Sequence, residues 1–411
     1  MNISERTVVF LVGAIQFTNI LDFTMVMPLG PDFAAALGIP ASKLGMIGGV
    51  YTLAAAVSGV ACSFFLDRFD RRKALAVTML GLTVATAAGG LAQGLGSLML
   101  ARALAGAFGG PAASLSLSAT ADVVPSHRRG KAMGAVMGAF SLASVLGVPA
   151  GLELARLGSW RTPFISVAAV GLVITVLALL MLPPLRLHLE AQPRAAGSTQ
   201  PSLRELLTRP VVQWTYVTCA LAMVSGFILI PNLSTYVQRN LGYPREELGQ
   251  LYLYGGMLSF VAMRVAGVLV DRVGPTWVMA GVTLPFLGVV YTGFVLPVPP
   301  VSVMAIYMML MCVMGFRGIS YSALASRVPL PHERARFMSL QSAVQHLAST
   351  AGAFASTQLL TELPDHTLAG MPVVAGTSMA LCLLMPLTQF LVEMRVRAQE
   401  TMTVRRDAAL A

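Results

Sequence analysis

Charged residues are scarce in this chain: Asp, Glu, Lys and Arg make up only 11% of its 411 residues, while 56% are hydrophobic. Soluble domains carry about a quarter charged residues, so this composition argues against two or three ordinary soluble domains. The apolar runs have the length of roughly 20 residues that a helix needs to cross a bilayer. They lack the alternating pattern of barrel strands. The composition therefore predicts a helical membrane protein with many spans.

Cysteine is also rare, and the four residues each lie alone in a different apolar run: Cys62, Cys219, Cys312 and Cys382. They lack the spacing of metal ligands, so we expect buried, inert thiols. The 24 methionines leave a path for Cu(I) open as an alternative, because thioethers bind that ion. Methionine is also an ordinary packing residue, and we predict no metal site.

A phosphate-binding loop of the form Gly-x-x-x-x-Gly-Lys-Ser/Thr is missing, as is any loop long enough to form a separate catalytic domain. This argues against ATP-driven transport and against an enzyme, and no cofactor is expected. A receptor that has a transporter fold but moves no substrate stays open as an alternative.

Twelve apolar runs can be counted, six on each side of a stretch rich in Pro, Ala, Gly and Ser. We predict spans at 7–30, 44–66, 74–94, 97–120, 132–154 and 163–183, then at 211–236, 248–270, 277–296, 302–325, 337–360 and 371–394. The predicted domains are an N-terminal six-helix bundle over 1–183, a cytoplasmic linker over 184–210, a C-terminal six-helix bundle over 211–394 and a cytoplasmic tail over 395–411. The first run is too long for a secretory signal, so we expect it to remain in the protein.

Lys and Arg are distributed unevenly between the two sides of this arrangement. With the N-terminus in the cytoplasm, 20 of the 28 fall on the cytoplasmic side, 5 on the outer side and 3 within spans. Because positive residues in short loops concentrate on the cytoplasmic side, both termini are predicted to be cytoplasmic. The net charge of +10 is therefore explained by the basic residues of the cytoplasmic loops. It does not indicate nucleic-acid binding, because the sequence has no basic domain with interspersed aromatic residues.

Two short passages recur in the second half of the chain. The passage FFLDRFDRRKAL at 64–75 has a thinner counterpart, VLVDRVGPTWVM at 268–279, with the Asp-Arg pairs 204 residues apart. HRRGKAM at 127–133 matches HERARFM at 332–338 with an offset of 205. The first passage and its counterpart each lie between the second and third spans of their half, and the second passage and its counterpart between the fourth and fifth spans. The chain is therefore a six-span unit used twice in the same orientation, an arrangement found in one large class of transporters.

These loops resemble the signature Gly-x-x-x-Asp-Arg-x-Gly-Arg-Arg/Lys of the major facilitator superfamily, and the resemblance extends over essentially the whole chain. The second copy retains Gly267, Asp271, Arg272 and Gly274, and the first retains Asp67, Arg68, Arg71 and Arg72 but has Ser63 and Asp70 where glycines are usual. The resemblance implies twelve transmembrane helices in two six-helix bundles.

Two spans carry further family motifs. LMLARALAGAFGG in span four resembles the next motif through Arg102 and Gly106. SVLGVPAGLELARLGSWRTPF in span five resembles the Gly-x-Pro-x-Gly antiporter motif through Gly147, Pro149 and Gly151. The combination is similar to the twelve-span drug:H+ antiporters and sugar-efflux permeases. These glycines and the proline permit bending and close helix contact, with ordinary tight packing as the alternative, and the family links the motif to export.

The resemblance also implies a conformational latch in the first charged loop. An acid at a helix end can accept hydrogen bonds from amides at the start of another helix and from guanidinium groups. Asp67 is assigned this role: it holds the inner ends of the halves together while the outer side is open, and it must release when the transporter opens inward. Arg68, Arg71 and Arg72 share the loop and are candidates for the same latch, although Arg71, Arg72 and Lys73 are expected mainly to set the topology.

The second loop has the corresponding residues Asp271 and Arg272. Arg264 lies seven residues before Asp271 on nearly the same helix face. We therefore expect Arg264 to support Asp271 in a second latch.

Ionisable residues inside a membrane are costly and indicate function. Asp22 lies about 22 Å from the cytoplasmic edge of span one and Arg102 about 8 Å from the outer edge of span four, at 1.5 Å per residue. In a slab about 30 Å thick these depths agree. We predict that the two side chains face each other and carry proton coupling. Burial raises the pKa of a carboxyl group and a nearby cation lowers it, so such a group can be poised between its two protonation states. A permanent ion pair between helices is the alternative.

Other polar residues in spans are weaker candidates. Gln16 and Asn19 share the first span with Asp22 and are candidates for substrate binding, with interhelical hydrogen bonding as the alternative. His346, near the middle of span eleven, is a second candidate proton carrier because histidine titrates near neutral pH. Arg317 in span ten either snorkels to the inner face or binds an anionic group of the substrate.

The sequence thus predicts a single-chain, monomeric secondary transporter of the inner membrane that exchanges protons for a small organic compound. Proton-coupled or facilitated uptake of a metabolite or organic anion is the alternative, favoured by Arg317.

Overall fold

Long apolar helices make up almost the whole molecule in the computed structural model, which describes residues 5–63, 69–124, 126–185, 203–329 and 333–410. The first half contains span 1 (Glu5–Val26 and Gly30–Leu37), span 2 (Leu44–Ser63), span 3 (Arg71–Gly90), span 4 (Leu95–Val123), span 5 (Ser126–Met137, Ala139–Leu142 and Val148–Leu157) and span 6 (Arg161–Met181). The second half contains span 7 (Pro210–Phe227 and Ile230–Arg239), span 8 (Leu248–Val273), span 9 (Pro275–Phe294), span 10 (Val303–Ala325), span 11 (Arg334–Leu359) and span 12 (Met371–Leu410).

Eleven helices within the described ranges are long and apolar enough to cross a bilayer. The twelfth is span 11, whose 26 residues include Gln341, Gln345 and His346 and are less apolar. Its polar residues are tolerated because it packs against span 2 of the other half. The predicted fold, twelve helices in two bundles of six, is confirmed.

The predicted domain edges differ from the helix ends in two places. A short helix, Leu203–Thr208, lies inside the predicted linker. The last helix continues without a break from Met371 to Leu410, so no helix end marks the predicted start of the tail at residue 395.

Spans 1 and 7 are interrupted at the same point, which adds a structural echo to the sequence repeat. Span 1 stops at Val26 and resumes at Gly30, and span 7 stops at Phe227 and resumes at Ile230. Each second piece has a proline in its first turn, where the missing N–H costs no helical hydrogen bond. The predicted unbroken runs 7–30 and 211–236 are corrected accordingly.

Span 5 contains a π-helical turn, Ala143–Gly147, in the antiporter-motif region. The amide of Val148 donates to the carbonyl of Ala143, five residues earlier. Pro149 follows and has no amide to offer, which helps a wider turn to form here. The structure thus has a π turn at the start of this motif, and bending at the motif stays a prediction.

Within the described residues, a cluster of buried apolar side chains joins the two halves on one side only. We call the two sides outer and cytoplasmic as the charge distribution predicts. On the outer side one cluster includes Met25 and Phe33 of the first half together with Leu233 and Leu251 of the second. On the cytoplasmic side one cluster belongs to the first half, and two others belong to the second. The halves are therefore packed together at their outer ends.

Candidate functional site

Asp22 and Arg102 form a buried ion pair between spans 1 and 4. Nη1 of Arg102 lies 3.0 Å from Oδ1 and 2.9 Å from Oδ2 of Asp22, and Nη2 lies 3.4 Å from the Asp22 carbonyl oxygen. Asp22 is 0% exposed and Arg102 is 1% exposed. The predicted contact between these two side chains is confirmed. Their predicted role in proton coupling stays a prediction.

Two more spans complete the surroundings of this pair. Thr86 of span 3 donates its hydroxyl to Oδ1 of Asp22 at 2.7 Å. The guanidinium carbon of Arg102 lies 4.6 Å from the ring centroid of Tyr51 in span 2, a distance at which the ring face attracts the cation. Tyr51 donates in turn to Asn19 Oδ1 at 3.1 Å.

Glycines in span 4 allow this close assembly. A Cβ atom at Gly106 would lie 2.1 Å from the Tyr51 carbonyl oxygen, and one at Gly109 would lie 2.5 Å from the Tyr51 hydroxyl. Small residues let helix backbones approach closely inside a membrane. Gly106 and Gly109 thereby bring span 4 near spans 1 and 2, one to two turns from Arg102.

The charges of the pair balance, but its hydrogen bonding is incomplete. Arg102 Nε is buried and has no hydrogen-bond partner in the described part of the chain. A buried carboxylate is stable here only while the cation and the hydroxyl face it, because an unpaired buried charge costs several kcal/mol. Protonation of Asp22 would leave Arg102 without its counter-ion. Loss of this attraction would weaken the contact between spans 1 and 4.

Asn19 bonds between helices, which is the structural alternative given above. Its amide donates to the Gly109 carbonyl of span 4 at 3.0 Å, and it accepts from Tyr51. Gln16 lies nearer the cytoplasmic end of span 1, and its Oε1 is buried without a hydrogen-bond partner among the described residues. Gln16 Oε1 is thus an unused acceptor, whereas both ends of the Asn19 amide already bond to other spans.

Within the described residues, His346 makes no hydrogen bond to Asp22 or Arg102. Its Nδ1 lies 2.9 Å from the carbonyl oxygen of Ser342, one turn earlier in span 11. One turn later, Thr350 contacts Thr52 of span 2 at 2.8 Å between hydroxyl oxygens. His346 thus lies beside the contact between the two halves.

Arg317 points into the second bundle, and the prediction that it snorkels to the inner face is wrong. It is 3% exposed, and its guanidinium carbon lies 4.1 Å from the ring centroid of Phe286 in span 9. Nη2 donates to Ser225 Oγ at 3.0 Å and contacts Met385 Sδ at 3.1 Å. The ring, the hydroxyl and the sulfur replace the water that snorkelling would have provided. Within the described ranges no carboxylate pairs with it.

The charged loop of the first half is partly described. Asp67 and Arg68 lie outside the described residues. Arg71 pairs with Asp122 at the end of span 4 through a contact of 2.8 Å, and Arg72 donates to the Leu179 carbonyl. Asp70, where the family usually has glycine, caps span 3 by accepting from the Arg72 amide at 3.0 Å. Arg71 and Arg72 thus make contacts within their own bundle.

The predicted contact between Arg264 and Asp271 is wrong for this structure. Arg264, Asp271 and Arg272 are all exposed, and the Arg264 guanidinium carbon lies 5.0 Å from the Phe260 ring centroid. Helical side chains lean toward the N-terminus of their helix, so Arg264 covers the turn before it. Asp271 lies about 10 Å further along the axis, at 1.5 Å per residue.

The antiporter motif packs against the helix that carries Asp22. A Cβ atom at Gly147 would lie 2.7 Å from a methyl carbon of Leu21, while one at Gly151 would meet Met25 and Pro163 only at ordinary contact distance, 3.9 Å. Span 5 therefore touches span 1 one residue from Asp22. Movement at the motif would reach the ion pair directly.

Thr86 and Tyr51 were missed from the sequence. Neither carries a charge, and hydroxyl residues are common in spans, so the sequence does not distinguish Thr86 and Tyr51 from the other threonines and tyrosines. The usable signal was the depth of Asp22: a partner donor must lie at the same level on a neighbouring span. Among the described residues, no group of His, Cys, Asp or Glu is placed to hold a metal ion.

Comparison with known proteins now defines the class. Residues 12–353 match the sequence model of the Major Facilitator Superfamily, and the chain belongs to this family of membrane transporters. It is 26% identical over 302 residues to the uncharacterized MFS-type transporter Rv1250 of Mycobacterium tuberculosis, covering 67% of this chain and 52% of that protein.

Two further relatives are informative. The purine ribonucleoside efflux pump NepI of Escherichia coli is 24% identical over 269 residues, 65% of this chain and 64% of NepI. The matched part therefore spans about half to two thirds of these relatives. The crystal structure of a bacterial homologue of the human lysosomal transporter Spinster superposes with a TM-score of 0.74 at 16% identity, covering 96% of this chain and 98% of that one. That likeness concerns the fold.

Proposed function

We propose that this transporter exports a small organic compound across the bacterial inner membrane in exchange for protons, by alternating access of a site between its two bundles. The observation that carries the coupling is the Asp22 carboxylate, 0% exposed and bonded to both Arg102 and Thr86. Intramembrane carboxylates of this kind act as proton relays in pumps and transporters.

The mechanism uses the ion pair as a two-state element. When Asp22 is ionised, it holds Arg102 between spans 1 and 4. When Asp22 is protonated, the attraction ends and Arg102 is left seeking another acceptor, which favours a different arrangement of the spans. Span 5 touches span 1 beside Asp22 through Gly147, so the change reaches the span that contacts span 8 of the second bundle.

Export is proposed on two grounds: the antiporter-like motif Gly147, Pro149 and Gly151, and the named activity of the relative NepI, which exports purine ribonucleosides. The substrate panel should therefore include nucleosides as well as sugars and cationic drugs. The inner membrane is proposed because the excess of Lys and Arg on one side has the pattern of a cytoplasmic face.

Inverted membrane vesicles test this proposal. Uptake of a panel of labelled compounds into inverted vesicles should increase when the vesicle interior is acidic, and it should fall when a protonophore removes the gradient. If accumulation does not depend on the pH gradient, transport is not coupled to protons. If labelled compounds accumulate only in right-side-out vesicles, the protein is an importer.

A second candidate is transport of an organic anion. It is favoured by Arg317, a buried guanidinium that has hydroxyl, sulfur and aromatic partners but no carboxylate in the described ranges. Substitution Arg317→Gln should then reduce transport of an anionic compound while sparing a neutral analogue. Equal loss of both would assign Arg317 to packing of the second bundle.

A further inference from the structure

Two contacts made by charged side chains join the halves at the outer ends of the spans, in addition to the hydrogen bond from Ser234 to the Pro28 carbonyl. Arg245, in the turn before span 8, places Nε 2.7 Å from Oδ1 and Nη2 2.6 Å from Oδ2 of Asp32. Asp32 belongs to the helix Gly30–Leu37, which ends span 1. Separately, Glu362 Oε2 of the second half accepts a hydrogen bond from the Ala41 amide at 2.5 Å.

The contact between Arg245 and Asp32 has the geometry of a strong ion pair. Two parallel N–H···O bonds fix the guanidinium against the carboxylate. The side chains are only 23% and 24% exposed, so water screens the pair less than it screens an ordinary surface pair. Arg245 Nη2 also lies 3.5 Å from the Leu152 carbonyl of span 5. One arginine thus reaches two spans of the other half.

Glu362 is held in place by the hairpin between spans 11 and 12, formed by β1 (Thr361–Glu362) and β2 (Leu368–Ala369). Asn240, at the end of span 7, donates to the Leu368 carbonyl and accepts from the Leu368 amide, both at 3.0 Å. The hairpin is therefore anchored to its own half while Glu362 reaches the other.

The Glu362 carboxylate also stays charged at neutral pH. Burial raises its pKa, but hydrogen bonds from His366 and from the Ala41 amide lower it, and the net pKa lies below its usual value. The His366 Nδ1 atom lies 2.9 Å from Glu362 Oε1. Glu362 can therefore accept from Ala41 at any pH above the ordinary range of a carboxyl group.

Beneath these contacts the halves are packed tightly. A Cβ atom at Gly45 of span 2 would lie 2.4 Å from the Ala353 carbonyl oxygen of span 11. Below this point, Thr52 and Thr350 are in hydroxyl contact. The outer parts of spans 2 and 11 are therefore in close contact across the two halves.

We propose that the Asp32–Arg245 pair and the Glu362–Ala41 contact form an outer latch, which holds the transporter closed on its outer side and opens once in each transport cycle. The reason is that both contacts join the halves, and every alternating-access cycle must separate those halves on the outer side. The outer latch requires only that the protein is a transporter. It does not depend on Asp22 or on protons.

Distance measurements on the purified full chain test the outer latch. Spin labels at Leu91 and Val298, which are 69% and 78% exposed and follow spans 3 and 9, report the separation of the halves after the four native cysteines are replaced by alanine. Asp32→Asn and Arg245→Gln should each raise the population with a long outer distance, on the order of fivefold for a well-aligned ion pair. Glu362→Gln should act in the same direction more weakly.

Two further variants make the result decisive. The exchange Asp32→Arg with Arg245→Asp should restore the short distance, and it also tests the pair if a single variant folds poorly. Asp365→Asn is the matched control: it removes an exposed carboxylate from the same end of the molecule, but its partner Thr367 lies in the same hairpin, so the distance should not change. Unchanged distances in the single variants, an exchange no better than either, or an equal shift in Asp365→Asn would each overturn the outer latch.

Discussion

Arg102 and Arg317 are buried arginines in corresponding spans of the two halves, 1% and 3% exposed, and they are accommodated differently. Arg102 has a carboxylate partner, and Arg317 has an aromatic ring, a serine hydroxyl and two methionine sulfurs. The first arrangement joins two opposite charges, so a proton can switch it. The second has no carboxylate partner in the described ranges, and its charge interacts instead with the buried thiol of Cys382. The first half thus holds a balanced pair of buried charges, and the second holds a buried positive charge without a carboxylate partner in the described ranges.

Arg102→Ala should have the largest effect on stability. It leaves the Asp22 carboxylate buried and unpaired, and breaking such a pair costs about 3–5 kcal/mol. Thermal unfolding in detergent should show a large loss, and adding Asp22→Asn should recover much of it because no charge is then stranded. A small loss that Asp22→Asn does not repair would mean that the pair is not a coupled unit.

Thr86→Val should have the next largest effect. It keeps the shape of the side chain but removes the hydroxyl that donates to Asp22, and a hydrogen bond to a charged group contributes about 1.5–3 kcal/mol. Thr83→Val in the same span is the control, since the Thr83 hydroxyl has no hydrogen-bond partner among described residues. An equal loss in both variants would assign the effect to packing.

Tyr51→Phe should cost less, about 1 kcal/mol, because it removes the hydrogen bond to Asn19 and leaves an aromatic ring facing Arg102. Tyr51→Leu should cost more, since it also removes the ring. Equal melting temperatures for the two variants would show that the ring contributes nothing to holding Arg102.

Arg317→Met should have the smallest effect, within about 1 kcal/mol of neutral or slightly stabilising, because replacing a buried charge by an apolar side chain strands no partner. A loss as large as that of Arg102→Ala would contradict the distinction between the two arginines. It would indicate a carboxylate or a bound anion beside Arg317.

The fold and the central pair could be predicted from sequence for physical reasons. Apolar runs of bilayer length mark the helices, and the depth of a residue within its span follows from the rise per residue, so Asp22 and Arg102 could be placed at one level. Depth does not give the direction in which a helix faces. For this reason Thr86 and Tyr51 could not be assigned, and Arg317 was expected at the inner face.

Side-chain direction also explains the failed contact between Arg264 and Asp271. Their spacing placed them on one face, but the lean of a helical side chain moved Arg264 onto Phe260. The breaks in spans 1 and 7 were missed because the apolar pattern continues through Pro28 and Ile228. The available signals were Pro28 within the break of span 1 and Pro31 and Pro231, each in the first turn of its second helix.

The central claim is that Asp22 carries the proton, and one measurement tests it most directly. Asp22→Asn keeps the size of the side chain and most of its hydrogen bonding but cannot exchange a proton. Purified wild-type and Asp22→Asn proteins should be reconstituted in liposomes and compared in two assays: substrate exchange without a gradient, and flux driven by a pH jump. We expect Asp22→Asn to retain exchange and to lose the flux driven by the pH jump. Normal flux under the pH jump would contradict the account and make His346 the next residue to test, and loss of both with poor folding would identify the pair with Arg102 as purely structural.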